Sequence, residues 1–463
     1  MNIDILHIKE KLSMLMSEWN VPGICIGLTD LKGKTEIISL GKRNISKDEN
    51  FNADTVIPIG CCSKAFTSMA ISILEEKKFL SLDEPVKKYI DEFSFNSQFL
   101  TDNITIKDII CMRTGIHMNE VIYKRSSYSY IDVLNKIKFL TPYFGLREYF
   151  LYDAYLYNFL KIIITKITRM SWEEFILKEL ATPIGISNIE FDSDHNINDN
   201  YAIGSYYKHG CLVEDNRTWN ISCIMPSAGI EISMNEILKW IEFILCDGKY
   251  NSKQIVSSTS MNKVFRPYIL SKSRPIYREL FFQSYALGWF NEPYKGNNLF
   301  FHEGNVRSCS CLVGVLPDIK IGIAVFINKD ECPLTRITLY NVIDSMLGLE
   351  QTDWSKRFKR ESVIKKSWLT YCIKYDVAIE RALIISSGQF FNNIYGMLEI
   401  SNDNCGDLFL KMVDCKYIFF SMIEDWYVFN IDEDYLFLKH TELSKSIYVK
   451  FAINAKEIEF TKI

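Results

Sequence analysis

The chain has 463 residues, is 48% hydrophobic and 24% charged, and carries a formal net charge of -4. That is enough apolar material for more than one packed core. Its basic residues are scattered, apart from a dense run over 356–366 that reads as a solvated helix face, so composition argues against a nucleic-acid partner.

The N-terminus opens with an amphipathic pattern, Ile8, Leu12, Leu15 and Trp19, at helical spacing. It has no apolar signal core, and no stretch of about 18 residues escapes charge, so no membrane span and a cytoplasmic location are expected. The 13 cysteines agree with that compartment: they are odd in number and show no regular framework. Residues 23–40 read as two strands around Lys32-Gly33-Lys34.

Asp54-Thr55-Val56-Ile57-Pro58-Ile59-Gly60 is a short apolar approach ending in a glycine, where backbone must pass close to something. Cys61-Cys62-Ser63-Lys64 follows and opens a helix that continues through Leu74. Cys61 and Lys64, three residues apart, share one helix face near its N-terminus. A thiol there is favoured as thiolate by the neighbouring ammonium and by the helix dipole. Ser260/Lys263 and Ser362/Lys365 have the same spacing, so context rather than spacing singles out Cys61. Cys62 is expected to point into the core, and a vicinal Cys61–Cys62 disulfide is disfavoured by the strained ring it would need.

A loop over 80–86 leads into a mostly helical middle that runs to about residue 250. Strands are expected at 285–289, 300–302, 310–316 and 319–327, and a helix at 334–347. Cys309 and Cys311 would lie on one side of a strand as packed thiols. Without a second pair, and with six widely separated histidines, no metal site and no cofactor are expected. Strands from both ends of this region flanking helices imply one antiparallel sheet with an inserted helical subdomain and a cleft between them. The domain reading is therefore 1–350 catalytic, with the helical subdomain at roughly 65–250, a helical linker over 351–385, and a tail over 386–463. Seven short alternating runs in the tail read as a small antiparallel β-barrel suited to packing, gating or substrate selection.

Several segments now resemble, in order, the serine β-lactamase-like superfamily, especially its class C β-lactamase, esterase and D-aminopeptidase branch. They are Trp19-Asn20-Val21-Pro22-Gly23, Ile59-Gly60-Cys61-Cys62-Ser63-Lys64, Leu80-Ser81-Leu82-Asp83-Glu84-Pro85-Val86 and the stretch from Ile104 to Ile116. Tyr152-Asp153-Ala154, Trp172-Glu173-Glu174-Phe175, Ser227-Ala228-Gly229, Tyr285-Ala286-Leu287-Gly288-Trp289 and His302-Glu303-Gly304-Asn305 continue the series. The tail, from Asn393-Ile394-Tyr395-Gly396, resembles the lipocalin-like domain that often follows such hydrolases. The sequence departs from the family at two places: Cys61 stands where a serine nucleophile is usual, and Ala154 replaces the Asn of a Tyr-x-Asn element.

The resemblance implies an α/β (α+β) fold of the β-lactamase/transpeptidase type. It implies Cys61 as the attacking group, Lys64 and Tyr152 as proton-transfer groups, and the backbone N–H groups of Cys61 and Asn305 as oxyanion donors. His302 and Gly304 would border the pocket, His302 either binding a substrate carboxylate or supporting Tyr152. The Cys61 thiol would take an acyl group from an amide, ester or thioester donor, forming a thioester, and pass it to an amine or to water. The substrate would be a small-molecule or peptidyl acyl compound, free or carrier-protein-bound, and β-lactam turnover is not expected. Two other readings stay open here: a ligand-binding pseudoenzyme in which Cys61 is a packed thiol, and a hydrolase whose serine was engineered to cysteine. Substrate choice is expected to depend on Tyr123, Tyr128 and Tyr130, on 143–150, and on the tail.

Overall fold

The computed structural model describes residues 5–30, 34–119, 127–192, 199–208, 210–272 and 277–361, and the tail strands between 388 and 462. Tyr123, residues 362–385 of the expected linker, 386–387 of the tail and Asn393 to Tyr395 lie outside the described residues. Residue contacts divide the chain into two units. The first comprises Met1–His117, Phe144–Arg217 and Ile221–Ser355.

The first unit is organised on an eight-stranded antiparallel sheet. Its strands are β1 (Gly23–Asp30), β2 (Thr35–Gly41), β3 (Ile269–Lys272), β4 (Gln283–Tyr285), β5 (Phe290–Tyr294), β6 (Asn297–Val306), β7 (Cys309–Leu316) and β8 (Ile321–Ile327). Their order in space is β3-β4-β5-β6-β7-β8-β1-β2, so β8 pairs with β1 and joins the two ends of the unit into one sheet. β7 is buried along its whole length, and β1 is buried from Gly23 to Thr29. Strands covered on both faces read as near-continuous apolar runs rather than as a clean alternation.

Five helices organise the layers: α1 (Ile5–Trp19), α2 (Ser63–Glu76), α3 (Tyr157–Thr168), α4 (Met234–Leu245) and α5 (Leu334–Met346). A side chain added at Gly27 of β1 would strike Met234 and Leu238 of α4, whereas one at Gly314 of β7 would meet Leu339 of α5. Gly27 lies opposite Ala324 and Gly314 opposite Ile323, so α4 and α5 cover opposite faces. Gly304 pairs with Cys311 and Cys311 with Phe326, which puts Gly304 on the α4 face. α2 is buried without interruption from Ser63 to Leu74, as a helix enclosed by other helices must be. Trp172 and Trp240 are fully buried around it, with Trp240 stacked on Phe66 at 4.0 Å.

Between residues 65 and 250 the structure contains helices interspersed with short strands, Ile189–Phe191, Ser205–Lys208, Cys211–Glu214 and Ile230–Ile232 among them. One expected element is corrected. Residues 285–289 do not form a strand: β4 ends at Tyr285, and Ala286 to Trp289 form a turn closed by the Ala286 N–H donating to the Trp289 carbonyl at 2.7 Å. Gly288 has φ +79° there, and a Cβ on it would lie 2.6 Å from Ser68 Oγ and 2.8 Å from the Lys64 carbonyl. Apolar and aromatic composition favours a strand, but close contact with α2 requires this glycine turn.

The second unit comprises Met118–Tyr143, Thr218–Asn220 and Lys356–Ile463. It contains the helix Tyr130–Ile137, started by a capping box between Ser129 and Asp132, and Asn220 donates to the Tyr128 carbonyl at 2.6 Å. Eight consecutive strands from Gly388–Asn392 to Ile458–Lys462 pair antiparallel, and the last pairs with the first to close a barrel. Among the described residues, no helix is long and apolar enough to cross a membrane.

Candidate active site

The strand Ile57–Pro58 delivers the chain to Gly60, which has φ +52° and starts a 3₁₀ turn, Gly60–Cys62, leading directly into α2. This places Cys61 at the head of α2, half-exposed, while Lys64 one turn later is fully buried. First-turn N–H groups have no acceptor within their own helix, so the Cys61 N–H is available to an external oxygen. Ser63 ties the turn down by accepting from the Ile230 N–H at 3.1 Å. Cys62 points the other way and donates its S–H to the His302 carbonyl at 3.1 Å. Both thiols are free, and burial pushes that of Cys62 well above the ordinary range.

The Lys64 ammonium donates to the Ser227 carbonyl at 3.2 Å and interacts electrostatically with Cys61. Burial lowers its pKa, against the opposing pull of Cys61 and of the carboxylate of Asp153. Its Nζ stands 4.8 Å from the ring centre of Tyr152. Desolvation, then the Cys61 charge, raises the Tyr152 pKa well above the phenol range. Cys61, Lys64 and Tyr152 therefore form one electrostatically linked cluster, in which Lys64 is fully buried and Cys61 and Tyr152 are partly buried.

Tyr152 is held by its own backbone. His117 Nδ1 donates to the Tyr152 carbonyl at 2.9 Å, and the Leu151 N–H donates to the Met112 carbonyl at 2.8 Å. Next to it, the buried Asp153 carboxylate accepts from the N–H groups of Tyr155 and Leu156 at 2.8 and 2.9 Å, in the turn that leads into α3. Ala154 follows, so the Tyr-x-Asn position offers no amide.

β6 brings the remaining residues. Gly304 is flush against the nucleophile turn: a Cβ there would lie 1.9 Å from the Ile59 carbonyl oxygen and 3.0 Å from the Cys61 nitrogen. The β6–β7 hairpin turns through Arg307 and Ser308, both at positive φ (49° and 53°), the signature of a type I′ turn. Its closing pair, Val306 and Cys309, is hydrogen-bonded in such a hairpin, so the next pair, Asn305 and Ser310, is not. The Asn305 N–H thus points away from β7. β5 pairs only with Asn297 to Phe301, which leaves that edge of β6 open to Gly60, whose Cβ position is 3.0 Å from the Asn305 nitrogen.

His302 is 1% exposed, and both of its ring nitrogens are engaged. Nδ1 lies 2.6 Å from the Glu303 carbonyl and must donate, which leaves Nε2 to accept from the Tyr285 hydroxyl at 3.0 Å. Burial, then the Lys64 charge, lowers its pKa to about 3, so the ring is neutral. It does not support Tyr152 by a hydrogen bond; the two ring centres are 6.3 Å apart. Sequence reasoning placed Tyr285 only as a landmark and missed Tyr157 and His117. Tyr157, also buried, donates to the Ile110 carbonyl at 2.9 Å and lies 3.5 Å from Ser68 Oγ. The only sequence signal for these residues was their nearness to quoted motifs.

Comparisons with known proteins place this geometry. The family described as Beta-lactamase matches residues 11–343. Among curated proteins, the chain is 26% identical over 297 residues to "Protein flp" of Staphylococcus aureus (strain MRSA252), covering 63% of this chain and 56% of that protein. It is 21% identical over 371 residues to the "Unguisins hydrolase ungD" of Aspergillus violaceofuscus, covering 73% of this chain and 65% of that one. The chain thus spans less than two thirds of the length of these relatives. Among solved structures, an octameric penicillin-binding protein homologue from Pyrococcus abyssi aligns with a TM-score of 0.67 at 20% identity, over 99% of this chain and 100% of that one. SurE aligns at 0.61 and 16% identity over 99% and 98% of the two chains. A class C β-lactamase from Rhodobacter sphaeroides aligns at 0.59 and 16% identity over 73% of this chain and 99% of that one. At these identities the structural matches establish the fold.

Proposed function

The chain belongs to the beta-lactamase family, and on that premise we propose that it is an acyl-transfer enzyme whose nucleophile is the Cys61 sulfur. The observation that carries this reading is the partly buried Cys61 thiol at the head of α2, grouped with a fully buried Lys64 whose Nζ lies 4.8 Å from the ring centre of Tyr152. In the first step Lys64 takes the thiol proton as sulfur bonds to the acyl carbon. The resulting oxyanion lies between the N–H groups of Cys61 and Asn305. Its collapse breaks the bond to the leaving group, which departs with a proton relayed through Tyr152, and leaves a thioester. An amine or water then attacks the thioester, gives up its proton to the same pair, and restores the thiol.

Sulfur tilts this sequence toward transfer. A free thiol has a pKa of about 8.5, so Lys64 has less to do than beside a hydroxyl, and thioesters react with amines more readily relative to water than oxygen esters do. A neutral, doubly bonded His302 favours a role in shaping the Tyr285 side of the site over binding a substrate carboxylate. The acyl donor is an amide, ester or thioester, free or carrier-bound. The test offers a thioester donor with and without a primary amine and measures free acid and amide. Amide formed at the expense of free acid is expected; an unchanged acid yield refutes aminolysis. One observation, Ala154 in place of the amide that would hold a substrate, favours a second reading in which the cleft only binds an acyl ligand. Binding without any covalent adduct on Cys61 would select that reading.

A further inference from the structure

We propose that Arg307 is a positioning residue for acyl transfer: its bond to Glu231 fixes the separation of the two oxyanion donors. The inference rests on the reading of Cys61 and Asn305 N–H groups as that pair. Those donors lie on different parts of the unit, Cys61 at the head of α2 and Asn305 at the end of β6, and no covalent link shorter than 240 residues joins them. Something must set the distance between them to a fraction of an ångström, because catalytic donors act only when preorganised.

Arg307 lies two residues beyond Asn305, in a turn that forces a long, non-glycine residue into positive φ. Such a conformation persists only where surrounding contacts over-determine it. Here the Arg307 guanidinium donates to the buried Glu231 carboxylate at 2.8 Å and also to Asp192, while Ser308 donates to Asp215 at 2.7 Å. Glu231 is not a neutral anchor. It lies on the strand Ile230–Ile232, directly opposite Pro58, and the adjacent Ile230 accepts from the Ile59 N–H at 3.0 Å and donates to Ser63. Glu231 is thus built into the frame that carries Gly60, Cys61 and Ser63. The ion pair connects that frame to the hairpin tip, and the backbone between Arg307 and Asn305 is too short to absorb a shift. A bidentate-capable, planar guanidinium suits this better than a lysine, which would reach one carboxylate as a point charge.

The test uses Glu231→Gln, which keeps the shape, with Arg307→Leu and Arg307→Lys. Two reactions of Cys61 are compared. Acylation by an activated ester or thioester develops an oxyanion; alkylation by iodoacetamide does not. Glu231→Gln and Arg307→Leu are expected to slow acylation by about 10- to 100-fold, with alkylation within about twofold of wild type and Arg307→Lys recovering part of the loss. Hydrogen exchange at the Asn305 amide, which needs no activity, is expected to accelerate in the same variants. Acylation and alkylation falling together, or acylation unchanged with exchange unchanged, would overturn the proposal. A wild-type protein that never acylates while these variants still loosen the Asn305 amide would instead sink the Cys61 reading and leave the bracket standing.

Discussion

Replacing Lys64 by Met should move activity and stability in opposite directions. Lys64 is fully buried, and its ammonium has the Ser227 carbonyl at 3.2 Å as its hydrogen-bond acceptor and Cys61 as an electrostatic neighbour. A buried cation with so few acceptors carries a desolvation penalty of several kcal/mol. Met fills nearly the same space without charge, at the cost of leaving the Ser227 carbonyl without its donor, about 1–3 kcal/mol. The first effect is the larger, so Lys64→Met is expected to be as stable as wild type or more stable by roughly 0–3 kcal/mol in urea unfolding. Acylation of Cys61, followed by intact mass after rapid mixing with an activated ester, should fall by about 10²–10⁴, equivalent to about 3–5 kcal/mol of barrier. The pH dependence gives a second readout. Because burial lowers the Lys64 pKa, the unfolded chain holds a proton that the folded chain releases, and wild-type stability rises with pH up to the ordinary lysine value of 10.5. Lys64→Met should flatten that rise. A variant that loses stability and acylation together, or one whose Cys61 is acylated at the wild-type rate, would refute the assignment of Lys64 as the base.

Three further outcomes follow from the geometry. His302, held neutral with a pKa of about 3 against 6.5, contributes stability present above pH 6.5 and lost as pH falls toward 3; urea unfolding at pH 4.5 should show a loss on the order of 2–3 kcal/mol that is absent in His302→Gln, and equal losses in both proteins would contradict it. Tyr152→Phe keeps the ring beneath Lys64 but removes the hydroxyl, so acyl transfer should slow by about 10²-fold while iodoacetamide still labels Cys61; transfer at the wild-type rate would remove Tyr152 from the mechanism. Gly304→Ala puts a methyl 1.9 Å from the Ile59 carbonyl, and should lower stability by about 1–3 kcal/mol and abolish acylation; a melting temperature and an acylation rate at wild-type values would show that β6 does not press on the nucleophile turn.

How legible the site was depended on sequence distance. Cys61 and Lys64 could be placed from local text because helical geometry alone brings residues three apart together. Tyr152, His302 and Asn305 came only through the order of motifs, since Tyr152 is held by contacts of its backbone with His117 and of Leu151 with Met112, and His302 and Asn305 lie on a strand of the sheet that β8 and β1 close from opposite ends. The Asn305 N–H gains its direction from the register of the Arg307–Ser308 turn, and two adjacent non-glycine residues at positive φ leave no mark that composition can show. The His302–Tyr285 bond was hidden for a related reason: 285–289 has the composition of a strand, and the contact of Gly288 with α2 makes it a turn. His117 and Arg307 were missed because each acts through a backbone or carboxylate distant in sequence, at Tyr152 and Glu231. The alternation that marked β-structure in the tail places eight paired strands where seven runs were expected, the extra one being Gly388–Asn392, which both opens and closes the barrel.

The central claim is that Cys61 carries the acyl group. The most direct measurement is the intact and peptide mass of the protein quenched within the first turnover of an activated thioester. One acyl adduct on the peptide containing Cys61, absent in Cys61→Ala and decaying when an amine is added, is the predicted result. Turnover with no adduct on that peptide, or adducts spread evenly over the other thiols, would contradict it.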